Sequence, residues 1–399
     1  MVLGLAIPSA AWYNGTILNI VKNVNSSAER AGTNMNKTAK TTYEIMHGGQ
    51  AAARIDTQGH CRIFGGGKFL PYNLYLDDTD EELDTLINNL TNFQYWCAGR
   101  ILTLDRQYAK EILNSIGAAQ AVTDRDRARI ALSCRCLTLT DIYWVKRPDE
   151  DITFQKVNLY DNHLDNAFID VSLRGRQITV QNDSLIPDLS TNGCFPKAWL
   201  RHEQGFTLLK DGGIRAVENE LLASKVCRCF RCPQVVYQET YYDGIKVSSS
   251  ELMTSKRYSI VSREAFEIYA VNEGIDPAAY ILELDSHSYY MMNILDYLVG
   301  NTDRHWGNWG FLVDNETNRP ISLHPLMDFN QAFQSYDHAD GANCLSVLPV
   351  HMTQREAALQ AVSKIGLNQI REIDPQWFRG RETDYQMLSR RLDILRESM

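Results

Sequence analysis

The sequence predicts an α+β fold of two lobes, with a mainly helical C-terminal lobe and an extra N-terminal region. Three observations predict it. Residues 206–226 carry a strand pattern, a Gly-Gly break and a helix pattern; residues 309–327 carry a hairpin pattern; and most of 261–399 has helical periodicity. The divisions this suggests are 1–137 for the N-terminal region, 138–255 for the first lobe and 256–399 for the helical second lobe. At 399 residues the chain has length enough for two or three units with real cores.

Composition narrows the function classes. The chain is 44% hydrophobic and 22% charged, ordinary for a globular protein. A net charge of −9 argues against a dedicated nucleic-acid or anionic-membrane surface. No apolar run approaches the ~20 residues that span a bilayer. The apolar start, Met1 to Ala11, lacks a positive flank and is interrupted by Pro8, so it is not read as a signal segment. Nine scattered cysteines suit reduced thiols and a cytoplasmic location. Cys227, Cys229 and Cys232 are the one cluster, and they lack a nearby fourth ligand for zinc. They are expected to pack as thiols at a helix end.

In chain order, residues 1–20 are apolar in pieces, and 21–42 are rich in Asn, Ser, Thr and Lys, which suits an exposed connection. Residues 60–76 suggest short strands around Gly65-Gly66-Gly67-Lys68. That run lacks phosphate-loop spacing, so a turn is expected. Thr79 and Glu82 form a capping-box pattern ahead of Leu83, Leu86, Ile87 and Leu90, which share a helix face. A second helix carries Tyr108, Ile112, Leu113 and Ile116 and stops at Gly117. A third runs from Thr123 to about Leu137. Ile142 to Val145 and Arg176 to Val180 suggest strands leading into the next lobe.

Ser190, Thr191, Asn192 and Gly193 form a turn cluster whose amides and hydroxyls suit phosphate. Phe206 to Lys210 is a strand, and Asp211-Gly212-Gly213 breaks it. The helix that follows, from Ile214 to Val226, puts Val217, Glu220, Leu221 and Ser224 on one face. Ile245 to Met253 suggests the hinge, where backbone groups of Glu251 and Met253 would meet adenine. Met291, Ile294, Leu295 and Leu298 share a later helix face, with Gly300 as its C-terminal cap. Thr353 with Glu356 makes another capping box. Tyr385, Leu388, Leu392 and Leu395 mark a last amphipathic helix.

The chemistry concentrates after Gly300. Asp303 and Asn308 stand five apart, as in the D-x-x-x-x-N of a phosphoryl-transfer loop, and Asp328 follows in a D-F-N triplet. A hairpin centred near Asn318 would fold Asn308 back beside Asp328. Such a reaction needs a carboxylate for the attacking hydroxyl's proton, here Asp303. It also needs an amide oxygen and a second carboxylate, Asn308 and Asp328, to hold Mg²⁺ against the phosphates of ATP. Arg304 and His305 flank Asp303 and are counted with it in the catalytic group. Lys210 and Glu220 have the order and spacing of a strand lysine on the α/β-phosphates and its helix partner, with Glu218 the second choice.

These residues resemble the HipA-like serine/threonine kinases. The carriers are Leu189-Ser-Thr-Asn-Gly193, Leu208-Leu-Lys210, Asn219-Glu220 with Ala223, Gly300-Asn-Thr-Asp-Arg-His-x-x-Asn308, and Met327-Asp328. Cys136 to Val145 and Thr153 to Asn158 also look like the run preceding the kinase lobes in Firmicutes-type members. The resemblance covers about 136–345; the N-terminal ~130 residues match nothing recognisable. It implies a bilobal protein-kinase-like fold of the HipA and phosphoinositide-kinase kind, ATP and Mg²⁺ as cofactors, and the roles given above. It further implies autophosphorylation near Ser190 or Thr191. The histidine after Asp303, and Asn in place of the Gly of D-F-G, agree with this branch and not with eukaryotic protein kinases.

The expectation is a protein serine/threonine kinase acting on a protein substrate. The toxin of a toxin–antitoxin pair, with an antitoxin partner, is one form of it. A phosphatidylinositol (lipid) kinase is the alternative, because Asn301-Thr-Asp-Arg-x-x-x-Asn308-Trp309 also resembles type II members. Acidic charge and the lack of a basic amphipathic helix weigh against a membrane. A non-catalytic nucleotide-binding module is the third reading.

Overall fold

The computed structural model describes residues 40–115, 123–162, 195–203, 205–334, 339–346 and 351–399, and the fold below is that of the unit Thr42–Met399. Its first sheet begins with β1 (Thr42–His47), β2 (Gln50–Asp56) and β3 (Cys61–Ile63), an antiparallel meander. Gly65–Gly67 follow as a 3₁₀ turn in which Gly66 has φ 64°. The triple glycine is therefore a turn, as its spacing predicts.

Helix α1 (Leu83–Ala98) departs from its predicted start and face. The Thr79 hydroxyl donates to Asp77 (2.6 Å), and the N-cap Glu82 makes no side-chain bond. Leu83 and Ile87 are exposed, whereas Asn89, Phe93, Trp96 and Cys97 are buried. Asn89 takes a core position because its amide is satisfied there: Oδ1 accepts from Asp77 N–H (2.8 Å) and Nδ2 donates to the Asp77 carbonyl (2.7 Å). Pattern counting treats such an amide as polar and rotates the face away from it.

α2 (Ala109–Ser115) follows; its predicted stop at Ile116 and Gly117 lies outside the described residues. Thr123 caps α3 (Asp124–Ser133) in a reciprocal box with Asp126, and the helix ends before the predicted Leu137. β4 (Tyr143–Lys146) does not lead away into the next lobe. It pairs antiparallel with β1 and completes a sheet of order β3-β2-β1-β4. Ile45, Ile55, Phe93, Trp96, Ile112 and Tyr143 share its core.

After the single turn α4 (Phe154–Val157), β5 (Lys197–His202) and β6 (Gly205–Lys210) form the second sheet with β7 (Gln238–Tyr242) and β8 (Ile245–Glu251), in the antiparallel order β5-β6-β8-β7. Between β6 and β7 runs α5 (Ile214–Cys227), entered through Gly213 at φ 82°. The predicted strand Arg176 to Val180 lies outside the described residues. Cys227 and Cys229 are buried free thiols at the end of α5, and Cys232 is half-buried.

The remaining elements are β9 (Tyr258–Ser262), α6 (Arg263–Glu273), α7 (Pro277–Val299), β10 (Gly310–Asp314), β11 (Arg319–Leu323), α8 (Gln354–Ile365) and α9 (Glu382–Glu397). The main core surrounds α7, whose Met291, Ile294, Leu295 and Leu298 are fully buried. Each such side chain stabilises the fold by about 1.5–3 kcal/mol. The capping box at Thr353 and Glu356 opens α8 as its sequence predicts.

The hairpin β10–β11 turns at Asn318, which has φ 53°. This residue also receives the N-terminal region. The Tyr72 hydroxyl donates to its carbonyl (2.8 Å), the Tyr143 hydroxyl to its Oδ1 (3.2 Å), and its own Nδ2 donates to the Lys68 carbonyl (2.9 Å). Among the described residues no helix is long and apolar enough to cross a membrane.

Candidate active site

The site is assembled around the end of α7. Gly300 caps that helix in the left-handed region, at φ 62°, and sends the chain directly into the loop that carries Asp303. The loop is folded around one buried carboxylate, Asp296. Its Oδ1 accepts from Asn301 Nδ2 (3.0 Å) and Arg304 Nη2 (3.1 Å), and its Oδ2 accepts from Arg304 Nε (2.9 Å). Arg304 then donates through Nη1 to the carbonyls of Asn308 (2.8 Å) and Met327 (2.5 Å). One guanidinium thus clamps the two segments that the hairpin folds back on each other. Arg304, counted in the catalytic group from the sequence, is buried against Asp296 and lies over the Phe329 ring, where it ties the loop together.

Asp303 is 42% exposed in its side chain, and its Oδ1 lies 4.0 Å from His305 Nε2. Burial pushes its carboxyl above the usual carboxylate range; His305 opposes that push and Asp328 adds to it. His305 Nδ1 accepts from Gly307 N–H (3.0 Å), which fixes the ring. Asn308 Nδ2 donates to the Asp303 carbonyl (2.9 Å). That bond orients the amide, and among the described residues nothing donates to its oxygen.

Lys210, at the end of β6, links that strand to α5 and to the segment after β11. Its Nζ donates to Glu220 Oε1 (2.8 Å) and to Asp328 Oδ1 (3.2 Å). Glu220 is 1% exposed, and its second oxygen accepts from the Ser248 hydroxyl on β8. The helix face read from the sequence therefore points Glu220 inward, while Glu218 lies 3.9 Å from Lys246. Burial disfavours the charge on Lys210, but Asp328 and Glu220 outweigh it and hold the ammonium protonated. Burial likewise opposes ionisation of Asp328. Lys210, Lys197 and Arg304 overcome it and keep the carboxyl at about 2.

Three features of the site were not singled out from the sequence. Lys197 faces Lys210 across the β5–β6 pair, and its β5 carbonyl accepts from Arg106 Nη2 (2.6 Å). Burial lowers its pKa to about 8, against the attraction of nearby Asp328. Tyr237 brings its hydroxyl to both Lys210 Nζ (3.3 Å) and the Asp328 N–H (3.0 Å). Asp296 organises the loop as described above. A lysine at a strand start carries no periodic signal, and the contact of Tyr237 spans 91 residues.

The remaining expected positions are as follows. Glu251 ends β8 with its side chain 74% exposed and accepts from the Thr207 hydroxyl (3.1 Å). Met253 packs against the main core. Among the described residues no hydrogen bond or ion pair joins either to the Lys210 group. Ser190, Thr191, Asn192 and Gly193 lie outside the described residues.

Among the described residues no group of three or more His, Cys, Asp or Glu is gathered as a metal site. The ionised Asp328 carboxylate and the oriented Asn308 oxygen are nonetheless hard oxygen donors, the type that Mg²⁺ accepts while keeping water and phosphate as its other ligands.

No family model and no curated protein matches the sequence. Solved structures do. The HipA, HipB and operator DNA complex of a toxin–antitoxin system from Shewanella oneidensis MR-1 matches at TM-score 0.55 and 12% identity, over 89% of this chain and 99% of that one. The Helicobacter pylori proinflammatory kinase CtkA matches at TM-score 0.39 and 13% identity, over 50% of this chain and 89% of that one. On the first of these, the chain has a HipA-like kinase fold.

Proposed function

We propose that the protein is an ATP- and Mg²⁺-dependent phosphotransferase of the HipA-like serine/threonine kinase type. The observation that carries this reading is the bonding of Lys210 to both Glu220 and Asp328, next to the loop of Asp303 and Asn308. A buried ion pair of this kind costs desolvation and is weak grounds for stability alone. A cation held between two carboxylates at a lobe junction is well placed to receive a triphosphate instead.

In this reading Asp303 orients the acceptor hydroxyl and takes its proton. Its raised pKa makes it a better base than an ordinary aspartate. Lys210 neutralises phosphate oxygens, with Glu220 fixing its position. Asn308 and Asp328 hold Mg²⁺, which when bound spreads the charge that develops on the phosphoryl oxygens. Lys197 adds a second cation beside Lys210. The acceptor is a protein hydroxyl, the location is the cytoplasm, and an antitoxin partner and self-phosphorylation at Ser190 or Thr191 belong to the same proposal.

Incubation with γ-labelled ATP and Mg²⁺, with either protein or phosphatidylinositol vesicles, tests it. Label in protein is the expected result. Label in lipid would favour the lipid kinase, and ATP binding without transfer would leave a nucleotide-binding module.

Lys197 gives the site a distinct pH response. With a pKa of about 8 it is mostly charged at pH 7 and mostly neutral at pH 9, whereas Lys210 stays charged. Bound phosphate favours the charged form, so KM for ATP is expected to rise between pH 7 and 9 with little change in kcat. Lys197→Met should raise KM at pH 7 by about tenfold and flatten that rise, as loss of one phosphate-paired charge implies. An unchanged profile in the variant would remove Lys197 from the site.

A further inference from the structure

We propose that Tyr237 is a positioning residue of the metal site: its hydroxyl holds Asp328 in a strained backbone conformation and links it to Lys210. The inference rests on the kinase reading above for its functional consequence, but not for its structural claim.

Asp328 is a non-glycine residue at φ 61°, in the left-handed region that side chains other than those of Asn and Asp seldom occupy. Such a conformation persists only where surrounding groups over-determine it, and it is concentrated at functional sites. Here its restraints can be named. Arg304 Nη1 holds the carbonyl before it, at Met327. Phe329 after it is fully buried. The Asp328 N–H itself donates to the Tyr237 hydroxyl at 3.0 Å. Removing that acceptor leaves the backbone donor of this left-handed residue with no partner.

The placement of Tyr237 is itself fixed from two sides. Val235 N–H donates to the Leu326 carbonyl (2.8 Å), and Leu326 N–H to the Pro233 carbonyl (3.0 Å). Residues 233–235 are therefore tied to the strand end that leads into Asp328. On the other side, Tyr237 N–H donates to the Ser224 hydroxyl of α5 (3.1 Å), one turn beyond Glu220. The side chain is 5% exposed, and Lys210 Nζ sits 5.0 Å from its ring centroid and 3.3 Å from its hydroxyl. The phenol oxygen thus receives one donor from the nucleotide-lobe lysine and one from the backbone of the metal-binding aspartate. This makes Tyr237 the gauge between the two groups that would hold phosphate and Mg²⁺. Groups that orient a metal ligand typically change metal affinity or activity by about 10–100-fold when removed.

Tyr237→Phe tests this with two readouts. The ring and its contact with Lys210 remain, so the variant keeps the packing and is expected to fold. The first readout is amide hydrogen exchange at Asp328 in the protein without nucleotide or metal; exchange about tenfold faster than wild type is expected from loss of one backbone bond. The second is the Mg²⁺ concentration that half-saturates the metal-dependent part of ATP binding, expected to rise by about 10–100-fold, while ATP affinity in EDTA changes little. Unchanged exchange at Asp328 would overturn the structural claim. Faster exchange with an unchanged Mg²⁺ response would overturn the link to the metal site. If the wild type binds no ATP with Mg²⁺ at all, the kinase reading fails, and the exchange measurement alone still decides whether Tyr237 holds Asp328.

Discussion

Asp303→Asn is expected to lower kcat by about 10³-fold while ATP affinity stays within several-fold, since a positioned general base contributes roughly 10²–10⁴ to rate. The substitution keeps the size of the side chain and removes only its capacity to accept a proton. Among the described residues no hydrogen bond or ion pair joins Asp303 to Lys210, and its neighbours in the loop are held by Asp296 and Arg304, not by its own carboxylate. The loop should therefore keep its shape. The raised pKa of Asp303 adds a sign to the test: in the wild type, kcat should fall as pH drops through a value above that of an ordinary aspartate, and the variant's residual rate should lack that limb. Single-turnover transfer from γ-labelled ATP, measured beside a binding titration, separates the two effects. Turnover equal to wild type would exclude Asp303 as the base.

Asp328→Ala should have its large effect through another route, on metal-dependent binding. It removes one of the two proposed metal donors and one of the two carboxylates on Lys210, leaving the Glu220 pair at 2.8 Å in place. Loss of a ligand should weaken the metal-dependent part of ATP binding by at least about 10–100-fold, the range seen even for groups that only support a ligand. ATP binding in EDTA should change little, because Lys210 also loses a competing anion. Calorimetric titration with and without Mg²⁺ reads both quantities. A wild-type Mg²⁺ response in this variant would remove Asp328 from the metal site.

The parts of this site legible in the sequence were those where local pattern and chemistry coincide. Glu220 shares a helix stripe with Val217 and Leu221, so its inward direction follows from the 3.6-residue period, and the structure buries it beside Lys210. Asn308 and Asp328 flank a hairpin whose turn at Asn318 could be located from polar residues between two apolar runs. What stayed hidden depends on long-range contacts. Tyr237 reaches Asp328 only because residues 233–235 lie alongside Leu326. Arg304 sits within the recognised loop, but its direction is set by Asp296 on the preceding helix, a contact that adjacency to Asp303 does not reveal.

The same limit explains the misread elements of the fold. Asn89 occupies a core position on α1 by satisfying the backbone of Asp77, and this moves Ile87 to the surface. Tyr143 to Lys146 is an apolar run with strand-forming residues, yet such a run does not name a partner; pairing with β1 fixes it in the first sheet.

The most direct measurement is a crystal structure of the protein with Mg²⁺ and a non-hydrolysable ATP analogue. The triphosphate should lie against Lys210, with Mg²⁺ on Asn308 Oδ1 and the Asp328 carboxylate and with the γ-phosphate facing Asp303. Nucleotide bound away from Lys210, or a metal ion that leaves both Asn308 and Asp328 unligated, would contradict the assignment.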